Sequence, residues 1–285
     1  MNPRLQLALA AALFATGGAG IKAVGFGPWQ TAAVRAAVAL TGMLLLIPES
    51  RRWRDWRYAL VGCAYAATTV GFVLANKFTT AASAIFLQDT SPIFILALAP
   101  LLLDEHVTRD DLVYMAALAL GMALFFAGTP AAFATAPRPV LGNVLALGTA
   151  VTWSITLIGY RWLAARGLAI GAAAVWGSAI AALGTAALAV PFEAGQPRDW
   201  GILAFLGVFQ LAVPYLLIAR AVPRLKAIDV SLILLLEPVL ASLVTWAVHG
   251  ETLAPLGLVG GGVIVGATAV HARRASAEPV PIPVD

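Results

Sequence analysis

Polar residues in this chain are confined to short intervals, and the apolar stretches between them are of nearly constant length. A helix needs about 20 apolar residues to cross the roughly 30 Å hydrocarbon of a bilayer. That ruler places ten spans, at 5–23, 29–47, 58–75, 81–102, 111–128, 141–163, 171–192, 200–221, 228–248 and 255–272. The intervals hold residues that start or stop helices: Gly27-Pro28, Pro48, Pro130, Pro137, Pro139, Pro191 and Pro197, with Asp110-Asp111 opening the fifth span. No interval is long enough for a soluble domain. The pattern predicts an all-α membrane protein.

Ser83–Thr108 breaks the apolar pattern at its centre, where Gln88, Asp89, Thr90 and Ser91 run into Pro92, before the stretch ends near Asp104-Glu105. The outline returns once. From Asp229 the chain again sets an acid, Glu237, beside a proline, Pro238, with Glu251 thirteen residues beyond, the separation of Pro92 and Glu105. Leu5–Val24 likewise resembles Val144–Leu163, with Phe14 answering Trp153 and Lys22 answering Arg161. That likeness favours a first helix over a cleaved leader behind Arg4. The expected units are a five-helix repeat over 1–137, a second over 138–274, and a disordered tail over 275–285 containing Pro279, Pro281 and Pro283.

Basic residues set the orientation. With a cytoplasmic N-terminus, that side collects Arg4, Arg51, Arg52, Arg54, Arg57, Arg109, Arg161, Arg166, Arg220, Arg224, Lys226, Arg273 and Arg274; the other has Lys22, Lys77, Arg138 and Arg198. Both termini are then cytoplasmic. Five spans is an odd number, so the two repeats enter the membrane from opposite faces, an inverted architecture that encloses a site near the midplane.

Composition narrows the function. With 61% hydrophobic and 11% charged residues, against roughly 25% charged in soluble domains, the chain cannot cover itself with a polar surface. The net charge of +4 lies in short connectors, which argues against nucleic-acid binding. Cys63 allows no internal disulfide and reads as a small core residue. His106, His249 and His271 fall at span ends without metal-ligand spacing, no phosphate-binding loop is present, and no cofactor is expected. Any driving force is therefore a gradient.

The paired prolines, each thirteen residues before a glutamate followed closely by threonine, and the glycines that come after (Gly121, and Gly257 through Gly266) resemble the EamA-type transporters of the drug/metabolite transporter superfamily. Within it the chain is similar to bacterial inner-membrane exporters of amino acids, particularly aromatic ones. The resemblance implies a central cavity lined by spans 1, 3, 4, 6, 8 and 9, with spans 5 and 10 outside. It implies an exporter of aromatic or other apolar amino acids and related metabolites, in the bacterial inner membrane. The alternatives are export of other metabolites or drugs and, from a different class, an intramembrane transferase, although paired acids, histidines or serines at one membrane face are missing. The expected partners are a small-molecule cargo and the lipid bilayer, with a monomer favoured over a dimer. The second repeat lacks a counterpart of Gln88–Ser91 and offers only Glu237, so the two walls of the cavity differ in chemistry.

Charges inside spans cost about 2.5–3.5 kcal/mol each at a helix centre on the insertion scale, so each needs a use. Arg35 and Asp89 lie at similar depth, about 10 Å inside one face at 1.5 Å per residue, and form a candidate intramembrane ion pair, either structural or gating. Glu237 has no base at matching depth; it reads as a neutral hydrogen-bonded acid, or as a proton or substrate-amine site. Pro92 and Pro238 each free a carbonyl one turn earlier, at Gln88 and Leu234, and are candidate kinks or hinges. The candidate cavity wall comprises Phe14, Tyr65, Gln88, Asp89, Ser91, Trp153, Thr156, Gln210, Tyr215 and Glu237, whose rings suit a flat apolar cargo. The polar members equally suit contacts between helices. Glu105 and Glu251 read as caps of the helices that follow, Trp29, Trp53, Trp56 and Trp200 as interface anchors, and the glycines of span ten as a close helix contact.

Overall fold

The computed structural model describes residues 1–51, 54–103, 107–127, 136–241 and 255–274, apart from the side chains at 50, 125, 126 and 271–274. Glu105, Glu251, His106, His249, Trp53, Pro130, the last part of the ninth predicted span and the tail lie outside them.

Helix starts are set by short polar caps and by proline. Asn2 Oδ1 accepts from the Arg4 amide at 2.9 Å and Pro3 opens α1 (Pro3–Phe14). Asp55 Oδ1 caps α4 (Trp56–Phe78) at 2.9 Å, and Thr80 Oγ1 caps α5 (Ala81–Gln88) at 3.0 Å. In each case a side-chain oxygen satisfies a first-turn N–H that has no partner in the helix. Thr108 and Asp111 cap α7 (Arg109–Ala127) reciprocally, at 2.9 and 3.2 Å. Proline opens α3 (Pro28–Leu46) and α8 (Pro139–Ala164); there its missing N–H would have been unpaired anyway.

The remaining helices are α2 (Gly17–Ala23), α6 (Ser91–Leu103), α9 (Ile170–Ala186), α10 (Pro197–Phe205), α11 (Val213–Ala221), α12 (Ala227–Leu234), α13 (236–241) and α14 (Pro255–Arg274). Among the described residues, seven stretches are long and apolar enough to cross a membrane: Pro3–Ala23, Pro28–Leu46, Trp56–Phe78, Ala81–Leu103, Pro139–Ala164, Ile170–Ala189 and Pro197–Arg224. The apolar run of α14, Pro255–Val270, is shorter, and α7 begins on three charged residues.

Several crossings are broken rather than straight. The chain turns between α1 and α2 at Ala15-Thr16, between α5 and α6 at Asp89-Thr90, and between α12 and α13 at Leu235. Between α10 and α11 it passes through a π-helical stretch, Leu206–Ala212. Hydroxyls take up carbonyls at two turns: Thr16 Oγ1 donates to Leu13 O at 2.7 Å and Thr90 Oγ1 to Leu87 O at 2.6 Å. Pro92 and Pro214 stand in the first turns of α6 and α11. Pro92 therefore begins a new helix after a full break instead of kinking a continuous one, and its missing N–H leaves no interior hydrogen bond unmade.

Three pairs of helix ends share one offset. α12 begins at 227 where α5 begins at 81, and ends at 234 where α5 ends at 88, a difference of 146 at both ends. α14 begins at 255 where α7 begins at 109, again 146 apart.

In the packed body α4 lies against α8 and α9, α3 against α9 and the π stretch, α1 against α11 and α12, and α5 and α6 against α8. α7 and α14 pack mainly on each other. Tyr114 Oη donates to Thr268 Oγ1 at 2.9 Å between them, and a Cβ on Gly121 would stand 3.0 Å from Gly260 O, so these backbones approach as closely as glycine permits. Cys63 lies on the exposed face of α4, contrary to the expectation of a core position. In a chain whose surroundings are lipid, an apolar neighbourhood does not tell core from periphery.

Candidate functional site

The helix breaks converge on one cavity. Its wall is formed by Phe14, Arg35, Thr68, Thr69, Phe72, Gln88, Asp89, Ser91, Trp153, Gln210, Leu211, Tyr215, Ser231, Leu234 and Glu237. Residues 14–91 come from the first half of the chain and 153–237 from the second. The cavity offers about 40 Å³ of room for water centres, where roughly 10–15 Å³ holds one water. A few waters fit, and a molecule the size of an amino acid does not.

Arg35, seven residues into α3 and 3% exposed, supplies the wall's positive charge. Its Nε donates to Gln210 Oε1 at 3.1 Å, its Nη2 donates to the same oxygen, and its Nη1 reaches the Thr69 carbonyl at 3.4 Å. Gln210 belongs to the π stretch, the kind of local widening that recurs at functional sites. A Cβ on Gly17 would stand 2.7 Å from Gln210 Nε2, so the glycine at the start of α2 makes the space in which that amide lies.

The acids are placed differently. Asp89 caps the C-terminus of α5, and its Oδ2 is buried without a hydrogen-bond partner, as is Gln88 Oε1. Glu237, 6% exposed, enters from α13. Asp89 and Arg35 share the cavity wall but make no ion pair, contrary to the pairing expected from their depths. Arg35 is instead an electrostatic neighbour of Glu237, and Glu237 in turn of Asp89. Ser91 and Ser231 join α6 to α12 with their hydroxyl oxygens 3.2 Å apart.

Below the polar groups, toward the face that bears the N-terminus, rings fill the space. Tyr215 packs edge-on against Phe14 at 5.7 Å, Tyr65 at 4.6 Å, Trp153 at 6.1 Å and Tyr160 at 6.3 Å between centroids. Phe14, Trp153 and Tyr215 reach the cavity. Tyr65 stands behind Tyr215 and accepts from Ser178 Oγ at 3.2 Å. Thr156 turns its hydroxyl onto the Thr152 carbonyl of its own helix at 2.8 Å. Both lie off the cavity wall.

The opposite end is closed by polar contacts between connectors. Lys22 Nζ donates to Thr79 O at 2.6 Å and Lys77 Nζ to Val24 O at 2.7 Å. Asp199 Oδ1 accepts from the Gly25 amide at 3.0 Å. Gln30 binds the Glu193 backbone twice, Nε2 to the carbonyl at 2.9 Å and Oε1 from the amide at 2.8 Å. Removing that double bond by Gln30→Ala is expected to raise several-fold the rate at which a thiol-reactive probe labels a cysteine placed at Ser91. An unchanged rate would mean that this end is held shut by other contacts.

Thr68, Thr69, Phe72, Leu211, Ser231 and Leu234 complete the wall; Thr68, Thr69, Leu211 and Ser231 carry no sequence signal that separates them from neighbouring apolar or hydroxyl positions. Thr69 acts through its carbonyl, which every residue has. The wall takes its residues from the stretches read as spans 1, 2, 3, 4, 6, 8 and 9, with Arg35 the contribution of span 2. Among the described residues, no group of three His, Cys, Asp or Glu could hold a metal ion.

The sequence profile of the EamA-like transporter family matches residues 4–127 and again 140–272. The chain belongs to the EamA-like transporter family. With its apolar helices, membership makes it a multi-pass membrane protein of general transport function. It is 24% identical over 244 residues to an uncharacterized transporter of Clostridium kluyveri, covering 77% of this chain and 76% of the relative. A solved crystal structure at 20% identity superposes with a TM-score of 0.74, over 96% of this chain and 99% of its own. That likeness is one of fold. In this EamA-like chain the cavity takes residues from both matched segments.

Proposed function

We propose that the chain is a ten-helix exporter of amino acids, aromatic or other apolar ones first, and of related small metabolites. It lies in the bacterial inner membrane with both termini cytoplasmic and works by alternating access between two inverted repeats. The observation that carries this reading is a small cavity between the halves, walled by an arginine, two acids and four rings, at the level where four crossings are broken. Its 40 Å³ is far below the roughly 300–1,000 Å³ of a small-molecule site, so cargo requires the walls to part. The two ends differ in their seals. Interlocked rings close the side nearer the N-terminus, and hydrogen bonds between connectors close the other, so either can open while the other holds.

The twofold match of the family profile and the offset of 146 residues shared by three pairs of helix ends support a duplicated unit. Half-buried Lys22 and Lys77 would face the outer side, where few basic residues collect.

The reading predicts that purified protein in vesicles preloaded with labelled phenylalanine releases it saturably and at least tenfold faster than vesicles without protein, measured with and without a pH gradient. Rates indistinguishable from protein-free vesicles across a panel of labelled apolar amino acids would defeat it.

A further inference from the structure

The unpartnered groups of the cavity are of one chemical kind. Asp89 Oδ2 and Gln88 Oε1 are buried with no hydrogen bond, and the Glu237 carboxyl also makes none in the structure while lining the same space. All three are acceptors. A buried acceptor left unpaired loses its hydration without return, and a cluster of them is retained only where something supplies donors. Three of the five N–H donors of the wall's guanidinium are already committed: Arg35 gives Nε and Nη2 to Gln210 and Nη1 to the Thr69 carbonyl, both neutral acceptors. Charge points the same way. Two acids and one guanidinium line the cavity, so with both acids ionised one negative charge is left over until a proton or a cation enters. A single proton brings one donor for three acceptor groups, whereas an alkylammonium brings three donors and a full charge. The rings of Phe14 and Trp153 lie on the same wall, and the face of an aromatic ring attracts an ammonium.

We propose that this cavity recognises its cargo by a protonated primary amine, seated among Asp89, Gln88 and Glu237. Arg35 stays on Gln210, so a carboxylate on the cargo is dispensable. Organic amines that lack a carboxylate are therefore cargo alongside amino acids. This rests on the exporter reading for the location of the site, but it makes a separate chemical claim.

Three matched compounds test it on the purified full chain: phenylalanine, phenethylamine, which keeps the ammonium and lacks the carboxylate, and N-acetylphenylalanine, which does the reverse. Phenylalanine and phenethylamine are expected to bind within about tenfold of each other, and N-acetylphenylalanine at least tenfold more weakly. Asp89→Asn should weaken phenethylamine by about tenfold or more, the loss expected when one charged hydrogen bond is removed. The proposal is overturned if N-acetylphenylalanine binds as tightly as phenylalanine, if phenethylamine does not bind, or if Asp89→Asn leaves its affinity unchanged. Where the Asp89→Asn chain does not fold, the wild-type comparison decides. Phenethylamine binding without any efflux of phenylalanine leaves the ammonium site standing and sinks the amino-acid exporter. Efflux of phenylalanine with phenethylamine excluded has the opposite result.

Discussion

Arg35→Gln alone is expected to abolish transport and to lower stability by about 3–5 kcal/mol, and Glu237→Gln in the same chain is expected to restore much of the folded protein. The magnitude follows from removing one partner of a buried charge network, which strands the others. Without the guanidinium, Gln210 and the Thr69 carbonyl lose the donors they hold, and Asp89 and Glu237 face each other with no cation in reach. A loss of that size is a large part of the roughly 5–15 kcal/mol that holds a domain folded. Neutralising Glu237 removes the acid whose charge Arg35 faces. Neutralising Asp89 removes one that Arg35 does not face. The Arg35→Gln/Glu237→Gln chain should therefore give more monodisperse protein and a higher melting temperature in detergent than Arg35→Gln/Asp89→Asn. Equal behaviour of the two double variants, or better rescue by Asp89→Asn, would return the arginine to the aspartate as partner.

That choice of partner shows what the sequence carries and what it does not. Position along a helix fixes depth, and by depth Arg35 and Asp89 match. Rotation about the helix axis decides which groups meet, and in helices apolar on every side no stripe of polar residues reveals it. Gln210 arrives from the eighth span through a π stretch that changes the angular step per residue, so its contact with Arg35 follows from neither register nor spacing. The same blindness accounts for Tyr65 and Thr156, one packed behind Tyr215 and the other bonded to its own helix, and for Cys63 on the exposed face.

Features with a local cause were legible. The approximate span limits follow from apolar run length and from capping residues such as Thr108 and Asp111. The break at Asp89-Thr90 follows from four polar residues meeting a proline. The break at Ala15-Thr16 has only Gly17-Gly18 beside it, and glycines in a membrane helix more often mark a close contact than an interruption. Most polar members of the wall could be named because an apolar chain leaves so few of them. Ser231 escaped because one serine in an apolar run can be satisfied by its own helix, and only the fold brings it to Ser91.

The second large effect concerns two residues with no side chain at all. Gly62 of α4 and Gly177 of α9 lie backbone to backbone: a Cβ on Gly177 would stand 2.8 Å from Gly62 O and would enter the Tyr65 ring, and one on Gly62 would stand 2.8 Å from Gly177 N. Neither obstacle can step aside. The backbone belongs to two long helices, and Tyr65 is fully buried, bonded to Ser178 at 3.2 Å and packed on Tyr215 at 4.6 Å. Gly177→Ala must therefore part α4 from α9 or drive Tyr65 into the ring that floors the cavity. The expected cost is about 1–3 kcal/mol, the usual penalty of overpacking, with loss of transport because Tyr215 shifts. Gly177→Val should not fold. Gly184, in the same helix, has open space around it: a Cβ there would meet nothing within 4 Å. Gly184→Ala therefore gains helix propensity, up to about 1 kcal/mol, and meets no obstacle. Melting temperatures of the two alanine variants in detergent separate the contact from the propensity, because propensity acts equally on both. If Gly177→Ala melts with Gly184→Ala and transports normally, the close approach of α4 and α9 is not what holds the cavity floor in place.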